Sequence, residues 1–156
     1  MVIADTVLAR RESDGSPVRV AMVGAGVTAR MIALQLATPI PGMRLVAIAN
    51  RTVEKAAQAF SNAGVPEAEV VLDLGRLEEN VDKGRASVVE EPNLVCQAGN
   101  IDVIVEVTGT VEFGAHVASA AIRHRKHVVL VNAALMDVSD SPTNPVRTLE
   151  LSGRVP

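Results

Sequence analysis

The chain has 156 residues, a formal net charge of −3 and 48% hydrophobic residues, but only 1% aromatic residues and neither Trp nor Tyr. A domain of this length can bury one sizeable core, and that core must consist of Val, Ile, Leu and Ala. The negative net charge and the lack of aromatic residues that could stack on bases argue against a nucleic-acid partner. No apolar run reaches the roughly 18 residues that cross a bilayer, no secretory signal is visible, and the single cysteine cannot form an internal disulfide. We therefore expect a cytoplasmic domain without a membrane partner.

The spacing of apolar residues predicts strands that alternate with helices along the chain. The predicted elements are a short helix over 3–11, a strand over Arg19–Val23, a helix over Val27–Ala37, a strand over Arg44–Asn50, a helix from Val53 that ends before Gly64, a short strand over Glu69–Leu72, a helix with Leu74, Leu77 and Val81 on one face, a strand over Ala86–Val89, a short helix from Pro92, a strand over Ile101–Val107, a helix that ends near His124 and a strand over His127–Ala133.

The strands are almost continuously apolar, as in parallel sheets that are covered on both faces. This pattern predicts an α/β fold of the Rossmann type, a doubly wound parallel sheet with helices on both faces. We expect one domain over residues 1–135. From Met136 the chain contains three prolines and scattered polar residues without a sustained period, so residues 136–156 are predicted to be an irregular or disordered tail.

The segment Gly24-Ala25-Gly26-Val27-Thr28-Ala29 matches the dinucleotide motif G-x-G-x-x-A/G. In that motif the first glycine permits a tight turn, the second lets the backbone approach a pyrophosphate, and the last small residue lets the helix pack close to the strand. Backbone N–H groups at the start of the helix, at Val27 and Thr28, would meet the phosphates. The motif follows a predicted strand and opens a predicted helix, so dinucleotide binding is favoured over a purely structural turn.

Asn50, Arg51 and Thr52 follow the second predicted strand. NAD sites usually carry an acidic residue here that binds the ribose 2′-hydroxyl, whereas an arginine can pair with a 2′-phosphate. The sequence therefore predicts NADP as the cofactor, with NAD as the alternative. A second interpretation is that Arg51 merely solvates the start of a helix.

Thr108, Gly109 and Thr110 follow the predicted strand Ile101–Val107. Ligands of doubly wound sheets bind beyond the carboxyl ends of the strands, so this turn is predicted to line the cofactor cleft, whether or not it also caps the next helix. Glu106 lies inside the apolar strand, and a carboxyl group there should be partnered or protonated. A structural network is the favoured interpretation of Glu106, and a catalytic role is the minority one.

The remaining residues that could be catalytic or bind a metal are interpreted as structural. Cys96 is expected to pack in the core like a small hydrophobic residue. His116, His124 and His127 form no spaced pair with another ligand, so no metal site is predicted. No spacing supports a Ser-His-Asp or Cys-His arrangement, and catalytic residues are not assigned.

The segments VRVAMVGAG, GMRLVAIANRT, IDVIVEVTGT and HVVLVNA, taken in order, resemble the NAD(P)-binding domain of homoserine-dehydrogenase-like oxidoreductases. The closest resemblance is to the branch with a C-terminal SAF domain, which includes deoxyxylulose-phosphate reductoisomerase-like enzymes, and it covers roughly residues 3 to 134. The resemblance implies an NADP(H)-dependent hydride transfer that a following catalytic domain completes. Glu106, Thr108 and Asn132 are expected to line the nicotinamide end of the cofactor site, although none is an obvious general acid.

One position departs from the resemblance. Homoserine dehydrogenases carry Asn-Lys after the last of these strands, with the lysine in catalysis, and the reductoisomerase-like branch reads Asn-Ala-Glu. This chain reads Asn132-Ala133-Ala134. Two alternatives therefore stay open beside the enzyme domain: a non-catalytic NAD(P)H-binding or redox-sensing module, and an inactive truncated gene product. The substrate is not identified, and pairing of the free sheet edge would produce a homo-oligomer.

Overall fold

The computed structural model describes residues 3–38, 40–65 and 67–131. Within these ranges six strands alternate with six helices. In chain order the elements are α1 (Ile3–Ser13), β1 (Val18–Val23), α2 (Val27–Ala37), β2 (Met43–Ala49), α3 (Val53–Asn62), β3 (Glu69–Val70), α4 (Leu74–Asp82), β4 (Ser87–Val89), α5 (Pro92–Gln97), β5 (Val103–Glu106), α6 (Val111–Arg123) and β6 (His127–Leu130).

The strands form one sheet in the order β3-β4-β2-β1-β5-β6, and every pair in it is parallel. β2, β3 and β4 all lie on one side of β1, whereas β5 and β6 lie on the other. The strand order therefore reverses between β1 and β5, the place where doubly wound sheets open a crevice beyond the carboxyl ends of their strands. The predicted Rossmann-type fold is confirmed.

The sheet buries side chains on both faces, as its unbroken apolar strands predict. On one face Met22 and Ile48 pack with α2 and α3, where Phe60 is the largest fully buried side chain. On the other face Ile104 packs with α4, α5 and α6, with Val117 among the residues of that cluster. The helices cover both faces of the sheet, and the loops of the site lie at its carboxyl edge.

α1 lies outside both clusters and has no buried residue. Ile3 and Val7, which are one helical turn apart, remain 84% and 53% exposed. The helix is attached by its backbone at Leu8, which lies directly against Gly42, and by Glu12, whose Oε2 accepts a hydrogen bond from the Gly42 N–H at 2.7 Å. The apolar spacing thus predicts the helix but not a buried face.

β5 is shorter than predicted at both ends, since it covers Val103–Glu106 rather than Ile101–Val107. Backbone pairing nevertheless continues at both ends, because Asp102 N–H donates to Arg19 O at 2.9 Å and Val107 N–H donates to Val23 O at 3.0 Å. β6 ends at Leu130, and the end predicted for it at residue 133 lies outside the described residues.

The other predicted bounds differ from the structure by at most two residues. Asn132, Ala133 and the tail over 136–156 all lie outside the described ranges. Across the part of the chain that the structure describes, no helix is both long enough and apolar enough to span a bilayer.

Candidate cofactor site

Three loops meet at the carboxyl edge of the sheet because backbone hydrogen bonds fix the first residue of each. Gly24 N–H donates to Ala49 O at 2.9 Å, and Asn50 N–H donates to Val89 O at 3.0 Å. The bond from Val107 N–H to Val23 O fixes the third loop in the same way. The turns that begin at Gly24, at Asn50 and after Val107 therefore lie side by side at the point where the strand order reverses.

The two glycines of the motif have different local requirements. Gly24 has φ +119°, and a Cβ there would lie 2.9 Å from the Val107 carbonyl oxygen, so both the backbone conformation and the packing require glycine. Gly26 has φ −74°, and a Cβ there would meet nothing within 4 Å. The fold does not require glycine at Gly26, and the open space before it fits the close approach of a ligand to the backbone.

The first turn of α2 is uncapped. Its N-cap is Gly26, which makes no side-chain cap, and the turn contains no acidic residue. In α4, by contrast, the Asp73 side chain accepts a hydrogen bond from the Arg76 N–H at 2.8 Å. The first N–H groups of α2, at Val27 and Thr28, therefore have no side-chain acceptor in the described structure, which leaves them available to bind an anion. Ala29 is fully buried, which lets α2 lie close to the sheet.

A cavity of about 340 Å³ lies between the glycine turn and the start of α3. We call it the basic cavity, because Arg30, Arg51 and Lys55 line it together with Asn50 and no Asp or Glu does. Within the described ranges, none of these three cationic side chains makes a hydrogen bond or ion pair. Three unpaired cations around one cavity favour a multiply charged anion.

Arg30 and Lys55 were not predicted from the sequence. Each lies one helical turn beyond a predicted site residue, Arg30 four residues after Gly26 and Lys55 four residues after Arg51. Both cations lie in the first turn of a predicted helix, α2 for Arg30 and α3 for Lys55. Their place at the start of those helices is the local signal, but only the packing of α2 beside α3 brings them to one cavity.

A second cavity, of about 480 Å³, extends from Asn50 and Arg51 to the turn after β5. We call it the acidic cavity, because Glu90 and Glu91 at the start of α5 line it. Thr108, Thr110 and the half-exposed ring of Phe113 complete its far side. The two cavities share Asn50 and Arg51, and the glycine turn contributes Gly24 to the acidic cavity and Gly26 to the basic one.

Most of the predicted site residues are thus brought together at one edge of the sheet. Those that line a cavity are Gly24, Gly26, Val27, Asn50, Arg51, Thr52, Thr108 and Thr110. Thr28 and Gly109 adjoin them in sequence but line neither cavity. Asn132 lies outside the described residues, and its predicted role stays a prediction.

Glu106 is completely buried and holds the turn that follows β5. Its Oε1 accepts a hydrogen bond from the Thr108 N–H at 2.7 Å and another from the Thr108 hydroxyl. Its Oε2 has no partner among the described residues. The side chain of Thr110, the N-cap of α6, makes no capping hydrogen bond, so this turn is organised by Glu106 rather than by a capping side chain.

Cys96 is buried against α6, with its Sγ 3.9 Å from the Val117 carbonyl oxygen. Burial raises the pKa of this thiol to about 11, which keeps it protonated and unreactive at neutral pH. Its predicted role in core packing is confirmed. Among the described residues, no group of His, Cys, Asp and Glu side chains is arranged to hold a metal ion.

Comparison with known proteins gives one family. The family model described as the NAD-binding domain of homoserine dehydrogenase matches residues 22–148. No curated protein matches the chain at a significant level.

Solved structures with the same fold are similar to the chain at low sequence identity. Apo scyllo-inositol dehydrogenase from Lactobacillus casei superposes with a TM-score of 0.58 and 16% identity over 87% of this chain and 33% of that one. Myo-inositol dehydrogenase from Lactobacillus casei, in complex with NAD(H) and myo-inositol, gives a TM-score of 0.55 and 18% identity over 73% and 28%. KijD10, a 3-ketoreductase from Actinomadura kijaniata in complex with TDP-benzene and NADP, gives 0.53 and 22% over 73% and 29%.

At these identities the likeness shows the fold alone, and the chain spans a third or less of each of those proteins. The family model, by contrast, covers most of the 156 residues. The chain therefore belongs to the family of homoserine dehydrogenase NAD-binding domains.

Proposed function

We propose that the chain is the NADP(H)-binding domain of a homoserine-dehydrogenase-like oxidoreductase and holds the cofactor for hydride transfer. The observation that supports this proposal best is the basic cavity beside the glycine turn, where Arg30, Arg51 and Lys55 are unpaired and no carboxylate is present. A carboxylate at the end of the second strand would bind a ribose hydroxyl and repel a phosphate. Asn50 carries no charge and leaves the three cations available to the 2′-phosphate of NADP(H).

The same arrangement gives the cofactor a path across the sheet edge. Gly26 and the uncapped first turn of α2 would hold the pyrophosphate, because N–H groups and the helix dipole favour negative charge there. The basic cavity would hold the adenosine 2′-phosphate. Thr108 and Thr110, which line the acidic cavity, would contact the rest of the dinucleotide.

Hydride transfer also requires a substrate carbonyl held over the nicotinamide and a proton donor beside it. Glu106, the buried carboxyl group nearest in sequence to the Thr108 turn, already accepts two hydrogen bonds from Thr108. We therefore assign the proton donor and the substrate contacts to a second domain. The described residues supply the cofactor half of the reaction.

The proposal is tested by titrating the chain into NADPH and into NADH while following the fluorescence of the reduced nicotinamide. The chain contains no Trp or Tyr, so the cofactor signal is free of intrinsic protein emission. We expect saturable binding of both, with NADPH at least about 10-fold tighter, because charge-assisted hydrogen bonds each contribute about 1.5–3 kcal/mol. Absence of NADPH binding at millimolar concentration, or equal affinity for the two cofactors, would contradict the proposal.

A further inference from the structure

A third cavity lies at the opposite edge of the sheet from the cofactor site. Its volume is about 440 Å³, and it opens where the strands begin, beside Val18 of β1, Val103 of β5 and His127 of β6. We call it the amino-edge cavity. The cofactor lies beyond the carboxyl ends of the same strands, so nothing in the proposed function uses this cavity.

The amino-edge cavity is lined by an excess of basic side chains. They are Arg11 from α1 and the consecutive residues His124, Arg125, Lys126 and His127 from the end of α6 and the start of β6. Four consecutive residues of this kind cannot all be explained as the usual cations of a helix end, since His127 already belongs to a strand. The concentration of positive charge at one cavity favours an anionic ligand.

The acidic residue in the cavity is already engaged. Asp102 Oδ2 accepts a hydrogen bond from the Arg19 N–H at 2.8 Å, and its backbone carbonyl accepts one from the His127 N–H at 3.0 Å. Asp102 thus fixes the register at the beginning of β1, β5 and β6. It offsets one of the three formal positive charges of Arg11, Arg125 and Lys126.

Two of the basic groups are partly committed to the fold, and three are free. Lys126 is buried, and its Nζ donates to the carbonyl oxygens of Ile101, at 2.7 Å, and Ala98. Arg11 Nε donates to the Ser16 carbonyl oxygen at 2.9 Å, which leaves its two terminal nitrogens. Across the described residues, the exposed side chains of His124, Arg125 and His127 make no hydrogen bond or ion pair.

Arg125 has a backbone conformation that arginine rarely adopts. Its φ is +60°, and it is the one non-glycine residue with positive φ in the described ranges. It occupies the left-handed position that ends α6, where Arg125 N–H donates to Ile122 O and Lys126 N–H donates to Ala121 O, each at 2.9 Å. Glycine is the residue usually found at this position. A strained residue that lines a cavity suggests a function for its side chain.

We propose that the amino-edge cavity binds the phosphate group of a small molecule, with the Arg125 guanidinium as its principal ligand and His124, His127 and the terminal nitrogens of Arg11 around it. A guanidinium group presents a planar pair of N–H donors that matches two phosphate oxygens. Several cations from different elements suit a doubly charged phosphate better than a singly charged carboxylate. Binding here would join α1 to the α6–β6 connection at the edge of the sheet away from the cofactor.

The test is a titration of the full chain with inorganic phosphate, followed by ¹H–¹⁵N NMR, against sodium chloride at equal ionic strength. We expect saturable shifts of the Gly99, Arg125 and His127 amides, with a dissociation constant in the low millimolar range or below. Phosphate that binds instead at the glycine turn would shift the amide signals of Gly26 and Thr28. The two sites are therefore distinguished in one experiment, and failure of the proposed cofactor site leaves this proposal untouched.

Arg125→Gly removes the guanidinium group and also relieves the backbone strain. We expect phosphate affinity at this cavity to fall at least 10-fold while the thermal midpoint rises by roughly 1–4 °C. Opposite changes in affinity and stability cannot arise from a damaged fold. His127→Gln should also weaken phosphate, by a smaller factor.

Arg123→Gln is the matched control, because Arg123 is an exposed arginine of α6 that does not line the cavity. It should leave phosphate affinity unchanged. Unaltered affinity in Arg125→Gly, an equal loss in Arg123→Gln, or shifts that chloride reproduces would each overturn the proposal.

Discussion

Gly24 lies so close to Val107 that a Cβ added to the glycine would be 2.9 Å from the Val107 carbonyl oxygen. This contact joins the turn after β1 to the turn after β5 at the point where the strand order reverses. The first glycine of the motif is therefore fixed by the protein's own backbone. The second glycine, Gly26, faces open space, so the two positions can be separated experimentally.

Gly24→Ala should destabilise the fold by about 1–3 kcal/mol, because alanine is strained at φ +119° and the neighbouring atoms belong to the backbone. Gly26→Ala should lower the free energy of unfolding by about 1 kcal/mol or less, because alanine is a poorer N-cap than glycine but its Cβ would meet nothing within 4 Å. Its methyl group would nevertheless occupy the space in which the proposed site holds the pyrophosphate. Denaturant unfolding together with NADPH titration checks both expectations. If the Gly26→Ala protein binds NADPH as tightly as the wild type, the hypothesis that the pyrophosphate binds at Gly26 is wrong.

Arg51→Ala should weaken NADPH binding by about 1–3 kcal/mol and leave NADH binding nearly unchanged, because the guanidinium would contact only the 2′-phosphate. Lys55→Ala should act in the same direction by about 1 kcal/mol, since an ammonium group is a single point charge without a bidentate fork. Arg123→Ala, at the far end of α6, is the control for charge alone. The measurement is the ratio of NADPH to NADH affinity. If both cofactors lose equally, the assignment of Arg51 to the 2′-phosphate is incorrect.

The sequence predicts the alternating elements and the glycine turn because their signals are local. Strand, turn and helix follow one another within Val18–Ala37, and Asn50 and Arg51 come directly after the next strand. The contributions of Arg30 and Lys55 depend on α2 and α3 packing side by side, so that their first turns border one cavity. Which side chains border the same cavity therefore depends on how the two helices pack, and the sequence of either helix alone does not determine it.

The acidic cavity was not predicted for a similar reason. Glu90 and Glu91 reach it because β4 pairs with β2 rather than with β1, and strand order cannot be read from the spacing within a strand. The motif likewise treats Gly24 and Gly26 alike, although dihedral angles show that the backbone conformation demands glycine at Gly24 alone. Local patterns predicted the elements, whereas long-range packing determined which side chains share a cavity.

Cys96 should make the stability of the protein depend on pH in the alkaline range. Burial raises its pKa from 9.0 to about 11, with Glu91 adding to the rise and Lys126 opposing it. The unfolded chain therefore loses the thiol proton first, so the stabilisation is fully present below pH 9 and is lost as the pH rises through 11. A shift of this size corresponds to about 2–3 kcal/mol.

The check on Cys96 is the difference in the free energy of unfolding between the wild type and Cys96→Ala at pH 8, 9, 10 and 11. Groups common to both proteins cancel in that difference, which should shrink above pH 9. The native thiol should also resist a disulfide reagent at pH 8 and react when the chain is unfolded. A constant difference across the range, or rapid labelling of the native protein, would show that the thiol is not held in a buried, protonated state.

Substitutions of Glu106 can separate the role of its hydrogen bonds to Thr108 from the role of its ionisable carboxyl group. Its Oε1 accepts both hydrogen bonds from Thr108, whereas its Oε2 is buried without a partner among the described residues. Glu106→Gln keeps an oxygen acceptor for the Thr108 N–H and removes the ionisable group. Glu106→Ala removes the acceptor and leaves the partly buried Thr108 N–H without its partner, which costs about 1 kcal/mol, the lower end of the range for a fully buried donor.

If Glu106 acts by holding the turn, Glu106→Gln should keep NADPH affinity within about 3-fold of the wild type, a change below 1 kcal/mol. Glu106→Ala should lose both stability and affinity, because the Thr108–Thr110 turn that lines the acidic cavity is no longer fixed. Glu112→Gln, an exposed change in the first turn of α6, is the control for charge near this turn. If Glu106→Gln abolished NADPH binding as completely as Glu106→Ala, the carboxyl group itself, and not its hydrogen bonds to Thr108, would be what the cofactor site requires.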